Sequence, residues 1–522
     1  MLPGLASYGV NYATILVVAG LVIYFALHRR NNLRNIPGPP SPSWTFGNML
    51  QLLLPPQYGD YEFTWLKEFG PVYLVKGCFG QNRLMISDPL ALQSILNSPY
   101  FGHGPTLENV MNLMFDQNAV MAAKSETHRH LRASLNTGFT SSAVRQYRPI
   151  FDRVAQKITE DLDECSGSLA DLCPILSHAT LSAISEAVLG CSIDDLGEEF
   201  VINNDRVMTL SASQSSSHII ADAIGSRLPK LVWRAAMRLP TAAFKDLRAV
   251  KSLATRIGKE AIAKKLAAVE QGASAKTDVF GMLLDTYQSD SKRNVLTKEE
   301  LVAQTGILMV GGQDTVTNTV AFGFLELARH PEFQRELRAE IHASLCGPSQ
   351  TFSYESMPLL NAFIKETLRL YPTGPLVERV AVHETVIPLS KSIKNSMGEL
   401  MNHIPVQKGQ VVIVATASYQ RLHSRWGEDA HQFRPSRWID GTVMQGQAVG
   451  PYANLLSFLG GPRMCLGWRF AILEMQVFFS EVVGKFSLSL PEGDRFSTRY
   501  ANTLFPVTSS GERALPLYVT RL

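Results

Sequence analysis

The stretch Phe458-Leu459-Gly460-Gly461-Pro462-Arg463-Met464-Cys465-Leu466-Gly467 carries the clearest chemistry in the chain. Its glycines permit a tight turn with positive φ and a close backbone approach to a ligand. Cys465 stands just before an apolar helical run, Trp468 to Val483. At a helix N-terminus the dipole and the free N–H groups stabilise a thiolate and can hydrogen-bond its sulfur. Arg463 offers a fixed cation two residues away, and Phe458 can shield the sulfur from water. The combination suits an anionic sulfur ligand beneath a flat, acidic cofactor. A lone cysteine is more often a buried inert thiol, but this one comes with its loop.

Three further groupings could do chemistry or support it. Gly311-Gly312-Gln313-Asp314-Thr315-Val316 lies inside a helical run from Leu301 to Arg329. Two glycines in mid-helix cost roughly 1 kcal/mol each against alanine, so something has to justify them. A flat cofactor or O2 approaching the backbone would do so. Asp314 and Thr315 then bring an acid and a hydroxyl to one place, as proton relay requires. Glu366 and Arg369 are spaced i, i+3 on a second helical run and can pair on one face. Taken alone, most such pairs are solvated surface contacts worth little. His128 and Arg132 lie four apart in Glu126-Thr127-His128-Arg129-His130-Leu131-Arg132. Both can donate to a carboxylate; read without context they form a basic exposed helix face.

F-x-x-G-x-R-x-C-x-G is the haem-binding signature of the cytochrome P-450 family, and the cysteine loop resembles it at Phe458, Gly461, Arg463, Cys465 and Gly467. Five fixed positions would match by chance in such a chain about once in 10⁴. The glycine-rich helix is similar to the family's oxygen-activation motif at Gly311, Gly312, Asp314 and Thr315. Val316 departs from a usual Thr or Ser and loses a hydroxyl, though Thr317 is next in the chain. The resemblance implies haem b with Cys465 as the axial iron ligand and Asp314 and Thr315 as the proton-delivering residues. It implies propionate contacts from Arg132, His128 and Arg379, and a buried structural network of Glu366, Arg369 and Arg437. Trp438 replaces the usual Phe after that arginine, and His128 replaces a common Trp. The H-x-x-x-R form resembles many filamentous-fungal members.

The activity implied by the resemblance is that of a monooxygenase inserting one atom of O2 into a lipophilic small molecule, by C–H hydroxylation or epoxidation. No G-x-G-x-x-G fingerprint is clear and no length remains for a fused flavin domain. Electrons are therefore expected from NADPH through a separate flavoprotein reductase, docking near Arg129, Arg463 and Arg469. The resemblance implies that the apolar stretch Phe101 to Met121 roofs the substrate pocket, with Leu504 and Phe505 as later lining candidates, although apolar residues at helical spacing are more often core. Fungal secondary metabolism, of terpenoids above other classes, is the associated expectation. A haem-thiolate isomerase or dehydratase working without O2 is one alternative, against which Asp314 and Thr315 argue. A non-catalytic haem sensor is another, against which the lack of an added regulatory domain argues.

The elements that must position these residues are mainly helical. Helices are expected over Pro149 to Asp163, Leu176 to Val188, Ala242 to Val269, Lys298 to Arg329, Pro331 to Ser344 and Tyr354 to Leu370. Val72 to Lys76 and Arg83 to Ser87 read as a hairpin around Gly77 and Gly80, and short strands are expected near Val377 to Ile387 and Gln410 to Val414. No linker or repeat divides the body. The fold class is thus mainly α with a small β part: one large helical cytochrome P-450-type haem domain, preceded by one N-terminal transmembrane helix.

Residues 1 to 27 contain no Asp, Glu, Lys or Arg, and Tyr8 to Leu27 would span about 30 Å as a helix. His28, Arg29, Arg30 and Arg34 come next, which by the positive-inside rule leaves the body in the cytoplasm. The expected division is a membrane anchor over 1–35, a proline-rich extended spacer over 36–45 and the catalytic domain over 46–522, single-pass in the endoplasmic reticulum membrane. The chain has no N-x-[ST] sequon. Its 522 residues, with 45% apolar and 18% charged, exclude a disordered chain and argue for a large core. A net charge of +3 over this length carries no nucleic-acid signature. The six cysteines (Cys78, Cys165, Cys173, Cys191, Cys346, Cys465) are scattered without C-x-x-C pairs, against a zinc site or a disulfide framework.

Overall fold

In a computed structural model, which describes residues 33, 35–228, 232–233, 235, 237–271, 277–288, 296–346, 353–443, 446, 448–493 and 495–522, the apolar periodicity becomes a helical body flanked by small sheets. The helices that position the site are α1 (Asp60–Phe69), α2 (Pro105–Met114), α3 (Ser125–Leu135), α4 (Arg148–Glu164), α5 (Leu172–Leu189), α6 (Glu198–Ala212), α7 (Ala242–Glu270), α8 (Lys298–Arg329), α9 (Pro331–Cys346), α10 (Pro358–Leu370) and α11 (Trp468–Lys485). The strands are β1 (Val72–Lys76), β2 (Asn82–Ile86), β3 (Phe101–His103), β4 (Leu169–Asp171), β5 (Leu376–Ala381), β6 (Thr385–Lys394), β7 (Leu400–Val406), β8 (Val411–Ala415), β9 (Phe486–Ser489), β10 (Ser497–Ala501), β11 (Thr503–Val507) and β12 (Pro516–Arg521).

Helix α8 is the axis of the body. Thr297 and Glu300 cap its start reciprocally in a capping box. From Val316 to Ala328 every residue is buried, so this half is apolar almost all round, as a helix enclosed by others must be. It packs on α5, α7, α10 and α11. Phe324 and Phe363 both meet Phe479 of α11, at 5.2 and 4.8 Å between ring centroids. A Cβ at Gly323 would lie 2.4 Å from Phe479, so glycine there lets the two helices close.

The main sheet has the order β1-β2-β8-β5-β3, with only the β2–β8 pair parallel. Antiparallel pairing sets Arg379 of β5 opposite His103 of β3. The expected hairpin is present as β1 and β2, with Val72 opposite Ile86. Two expected elements are divided. Tyr354 to Leu370 breaks at Met357, because Pro358 starts α10 at its first position and keeps the preceding residue out of helical conformation. Val377 to Ile387 is two strands, β5 and β6, parted by a turn at Val382 to Glu384.

The membrane anchor expected over 1–35 falls almost wholly outside the described residues. Among those described, the one helix long and apolar enough to span a bilayer is α5, and 67% of it is buried inside the body. The proline-rich segment lies against the sheet. Leu74 N–H donates to the Pro37 carbonyl at 2.9 Å, and a Cβ at Gly38 would collide with the Leu74 carbonyl at 1.8 Å. Asn48 Nδ2 ties down the Pro40 carbonyl at 2.9 Å.

Candidate functional site

The cysteine loop is held from behind by the buried pair on α10. Glu366 accepts Arg369 Nε on Oε2 at 2.8 Å and Arg369 Nη2 on Oε1 at 2.9 Å. Arg437 Nε donates to the same Oε1 at 2.9 Å. All three side chains are essentially inaccessible to solvent, so this is the buried network that the sequence implied. Trp438 adds what a phenylalanine could not: its Nε1 donates to Glu366 Oε2 at 2.9 Å. With the Arg434 amide on Oε1 at 2.8 Å, the buried carboxylate is saturated. Gln420 passes this order on. Its amide nitrogen donates to the carbonyls of Leu368 and Arg369, and its Oε1 accepts from Leu456 N–H at 2.7 Å. Leu456 and Ser457 lead directly into Phe458.

Cys465 N–H donates back to the Phe458 carbonyl at 2.8 Å and closes the loop. Leu459 and Gly461 both take positive φ, and a Cβ at Gly461 would meet the Leu96 carbonyl at 2.1 Å, so only glycine fits there. Cys465 is bare on one side although it lies deep in the protein. Burial raises its thiol above the ordinary value, and the Gly467 N–H and Arg132 pull it back down. The helix-terminal donor expected for the sulfur is therefore present, while burial wins in the protein alone. A thiolate at this depth needs a further positive partner such as a metal ion. Among the described residues no group of three or more His, Cys, Asp or Glu side chains gathers that could hold one.

A cluster of nitrogen donors stands beside the loop. His128 is buried and pushed down to about 4 by burial, then by Arg463 and Arg132. Arg379 is pushed down to about 10 by burial, then by Arg463. Arg463 falls to about 10 through burial, then through Arg132. Arg132 is lowered by burial and partly restored by Cys465. Each feels the next, so side chains from α3, β5 and the cysteine loop converge. No carboxylate answers the three guanidiniums among the described residues. Arg463 donates to the carbonyls of Val120 and Ala123 at 3.3 and 2.6 Å, and Arg379 to that of Glu378 at 3.1 Å. His103 joins this cluster unforeseen. Both its ring nitrogens are buried and without a hydrogen-bond partner. Burial, then Arg379 and Arg463, push it down to about 3.

On α8 the two glycines have different causes. A Cβ at Gly312 would lie 2.4 Å from the Ile184 side chain of α5, so this glycine serves helix packing. A Cβ at Gly311 would meet nothing within 4 Å, and the residue is exposed in mid-helix. Thr315 donates its hydroxyl proton to the Gly311 carbonyl at 2.9 Å. Thr317 does not replace the hydroxyl lost at Val316. Two residues turn the helix by about 200°, and Thr317 Oγ1 meets Thr180 of α5 at 2.7 Å, away from Gly311 and Thr315. Asp314 is engaged by the C-terminal part of the chain. Arg513 Nη2 donates to its Oδ1 at 2.5 Å, and Thr503 Oγ1 to its Oδ2 at 3.0 Å. Arg513 also donates to Asn318 Oδ1 at 2.8 Å.

The segment Phe115 to Ala123 joins α8 to the cysteine loop. Val120 N–H donates to Gln304 Oε1 at 2.8 Å, while its carbonyl accepts Arg463. Phe115 packs within 3.5 Å of the position a Cβ would take at Gly306. The basic docking face expected from Arg129, Arg463 and Arg469 is not formed as such. Arg463 turns inward to backbone carbonyls, Arg129 pairs with Glu126, and Arg469 stacks 4.1 Å over Trp468. Leu504 is wholly buried, and Phe505 lies beneath Arg513, whose guanidinium sits 5.4 Å from the ring centroid.

Comparison with known proteins gives consistent matches. The family model described as Cytochrome P450 matches residues 37–513. Cytochrome P450 monooxygenase 91 of Postia placenta is 28% identical, over 94% of each chain. Cytochrome P450 monooxygenase 219 of the same fungus is 30% identical, over 88% of each. A ganoderic acid synthetase of Ganoderma lucidum is 28% identical, over 91% of this chain and 92% of its own.

Proposed function

The chain belongs to the cytochrome P450 family and is a monooxygenase, and we propose that it oxidises a lipophilic small molecule in fungal secondary metabolism, a terpenoid above other classes. The family implies a haem. The residues present fit one. Cys465 offers a single sulfur that is bare on one side, with the Gly467 N–H already on it. Among the described residues no carboxylate pairs with the three buried or half-buried guanidiniums, an arrangement that suits a dicarboxylate ligand. That pairing of a bare sulfur with unanswered guanidiniums is the observation that carries the reading. Gly311 leaves open space on α8.

In this reading Cys465 would ligate the haem iron, and Arg132, Arg379, Arg463 and His128 would hold the propionates. Haem bound there supplies O2 activation, with one oxygen atom passing to the substrate and the other to water. The overall change takes two electrons and two protons per O2. Thr315 holds a proton on Oγ1 at the Gly311 carbonyl, in position to pass it on. Asp314 orders the same turn through Arg513 and Thr503. Phe458, nearly inaccessible, keeps water from the sulfur. Electrons come from NADPH through a separate flavoprotein reductase. Residues 1–35 anchor the chain in the endoplasmic reticulum membrane, with the body in the cytoplasm. Support for the terpenoid class is the likeness to a ganoderic acid synthetase.

The test is spectroscopic. The reduced protein with carbon monoxide is expected to show the thiolate-type absorption band, and Cys465→Ser to lose it while still folding. Titration with sesquiterpenes, diterpenes, sterols, fatty acids and aromatics then reads the substrate class from the low- to high-spin shift. A haem-loaded wild-type protein without the thiolate band would overturn the assignment of Cys465. A spin shift confined to fatty acids would overturn the terpenoid.

A further inference from the structure

We propose that Asn204 of α6 is a positioning residue for the Asp314–Thr315 turn of α8, acting through Gln313. It rests on the part given to that turn in the reading above. Gln313 stands between Gly312 and Asp314, and lies about 200° round the helix from both Gly311 and Thr315. It therefore occupies the back of the turn. Its side chain is buried, and its amide is strung between two helices. Nε2 donates to Ser177 of α5, to Oγ at 3.0 Å and to the carbonyl at 3.3 Å. Oε1 accepts from Asn204 Nδ2 of α6 at 2.6 Å.

The turn needs a hold from behind because its front has little. Gly311 and Gly312 are poor helix formers. Thr315 puts its hydroxyl on the Gly311 carbonyl, a back-bond of the kind that bends helices. No atom of the protein lies within 4 Å of where a Cβ would stand on Gly311. Asn204 is a costly residue for the place it fills. It is 1% exposed, and its Oδ1 has no hydrogen-bond partner. A leucine of similar size would avoid that unsatisfied atom. The asparagine supplies instead a donor that fixes the Gln313 amide one way round, Oε1 towards α6 and Nε2 towards α5. The far end of α6 bears on the same acid. Ala212 packs against Ala501, Phe505 and Val507 of the β10–β11 hairpin, whose Thr503 donates to Asp314 Oδ2 at 3.0 Å. One helix thus reaches Asp314 from two sides, and Asn204 makes the polar contact behind it.

The measurements use the full-length, haem-loaded protein. Hydrogen exchange read by mass spectrometry follows the α8 amides over 308–316. The infrared C–O stretch of the reduced carbon monoxide complex reports the groups that border the bound gas. Asn204→Leu keeps the packing and removes the donor. It is expected to speed exchange over 308–316 about tenfold, the size of one buried hydrogen bond. The C–O stretch should broaden or shift while the thiolate-type absorption band stays. Gln313→Leu is expected to do the same, and the double variant to go no further than Gln313→Leu, because the two residues act in series. Unchanged exchange over 308–316 in Asn204→Leu would overturn the proposal. So would faster exchange confined to α6, or losses that simply add in the double variant. If Asn204→Leu does not load haem, Asn204→Ala, which leaves room for a water, is put to the same test. Thr315→Ala is the separate control. An unmoved C–O stretch in that variant would sink the role given to Thr315, and leave the exchange result to decide the hold of Asn204.

Discussion

Asp314 does not stand free beside Thr315. Its carboxylate is shared among Arg513, Thr503 and Asn318, and Arg513 lies 199 positions along the chain. So held, Asp314 has a fixed place on α8, and Arg513 is its positioning residue. Arg513→Gln is expected to cut product formation about tenfold and divert NADPH oxidation to peroxide, within the range of a general acid–base contribution. Arg513 also sits over the Phe505 ring, so the spectral shift on substrate binding is read alongside, to separate lost coupling from a changed lining. Unchanged coupling in that variant would show that Asp314 needs no help from Arg513. At this scale the sequence was legible wherever chemistry and spacing are local. The cysteine loop, the glycine-acid-threonine turn and the i, i+3 pair were all found. His103 and Arg513 were not, because only folding brings β3 to β5 and the segment after β11 to α8. Nor could spacing tell that Trp438 uses its indole N–H on Glu366, or that Thr317 faces Thr180.

The helices show which of two adjacent glycines answers to packing. Gly312→Ala would press a methyl into Ile184 and is expected to cost about 1–3 kcal/mol as overpacking. Gly311→Ala meets nothing in the protein and should raise helix stability by up to about 1 kcal/mol. Its penalty should appear in haem or ligand binding, read as a weakened or altered spin shift. Thermal melts of the two variants beside ligand titrations check the contrast, and equal melting losses would refute it. Long helices with strong caps were legible to within a few residues; α8 begins at Lys298 behind the box of Thr297 and Glu300. Short strands were legible only where the partner is near in sequence, as in β1 and β2. The three-stranded sheet of β4, β12 and β9 escaped, because its strands have three to six residues and β4 is separated from β12 by most of the chain.

At the scale of the whole molecule, helices, sheet and cysteine loop share one main hydrophobic core. Charged groups inside it make stability depend on pH. Glu62 of α1 accepts Ser418 Oγ at 2.5 Å, and burial pushes its carboxyl up to about 7 from 4.5. Between those values the unfolded chain loses the proton and the folded protein keeps it. Stability therefore falls as pH rises from about 4.5 to about 7 and is steady beyond, a loss of about 3 kcal/mol from this group. Glu62→Gln should flatten that part of the slope, seen as a difference in melting temperature between variant and wild type that grows from pH 5 to pH 7.5. A constant difference would show that Glu62 ionises freely. The sheet that sequence could not reveal has a last consequence, one of timing. Leu515 N–H bonds Asp171 Oδ1 at 2.7 Å, and β12 covers the edge of β4. Chains are made from the N-terminus onward. On the ribosome β4 emerges 344 residues before the segment that seals it. For that interval the nascent chain carries an open strand edge, and later an α8 acid without its arginine. It is then that a chaperone has most to guard.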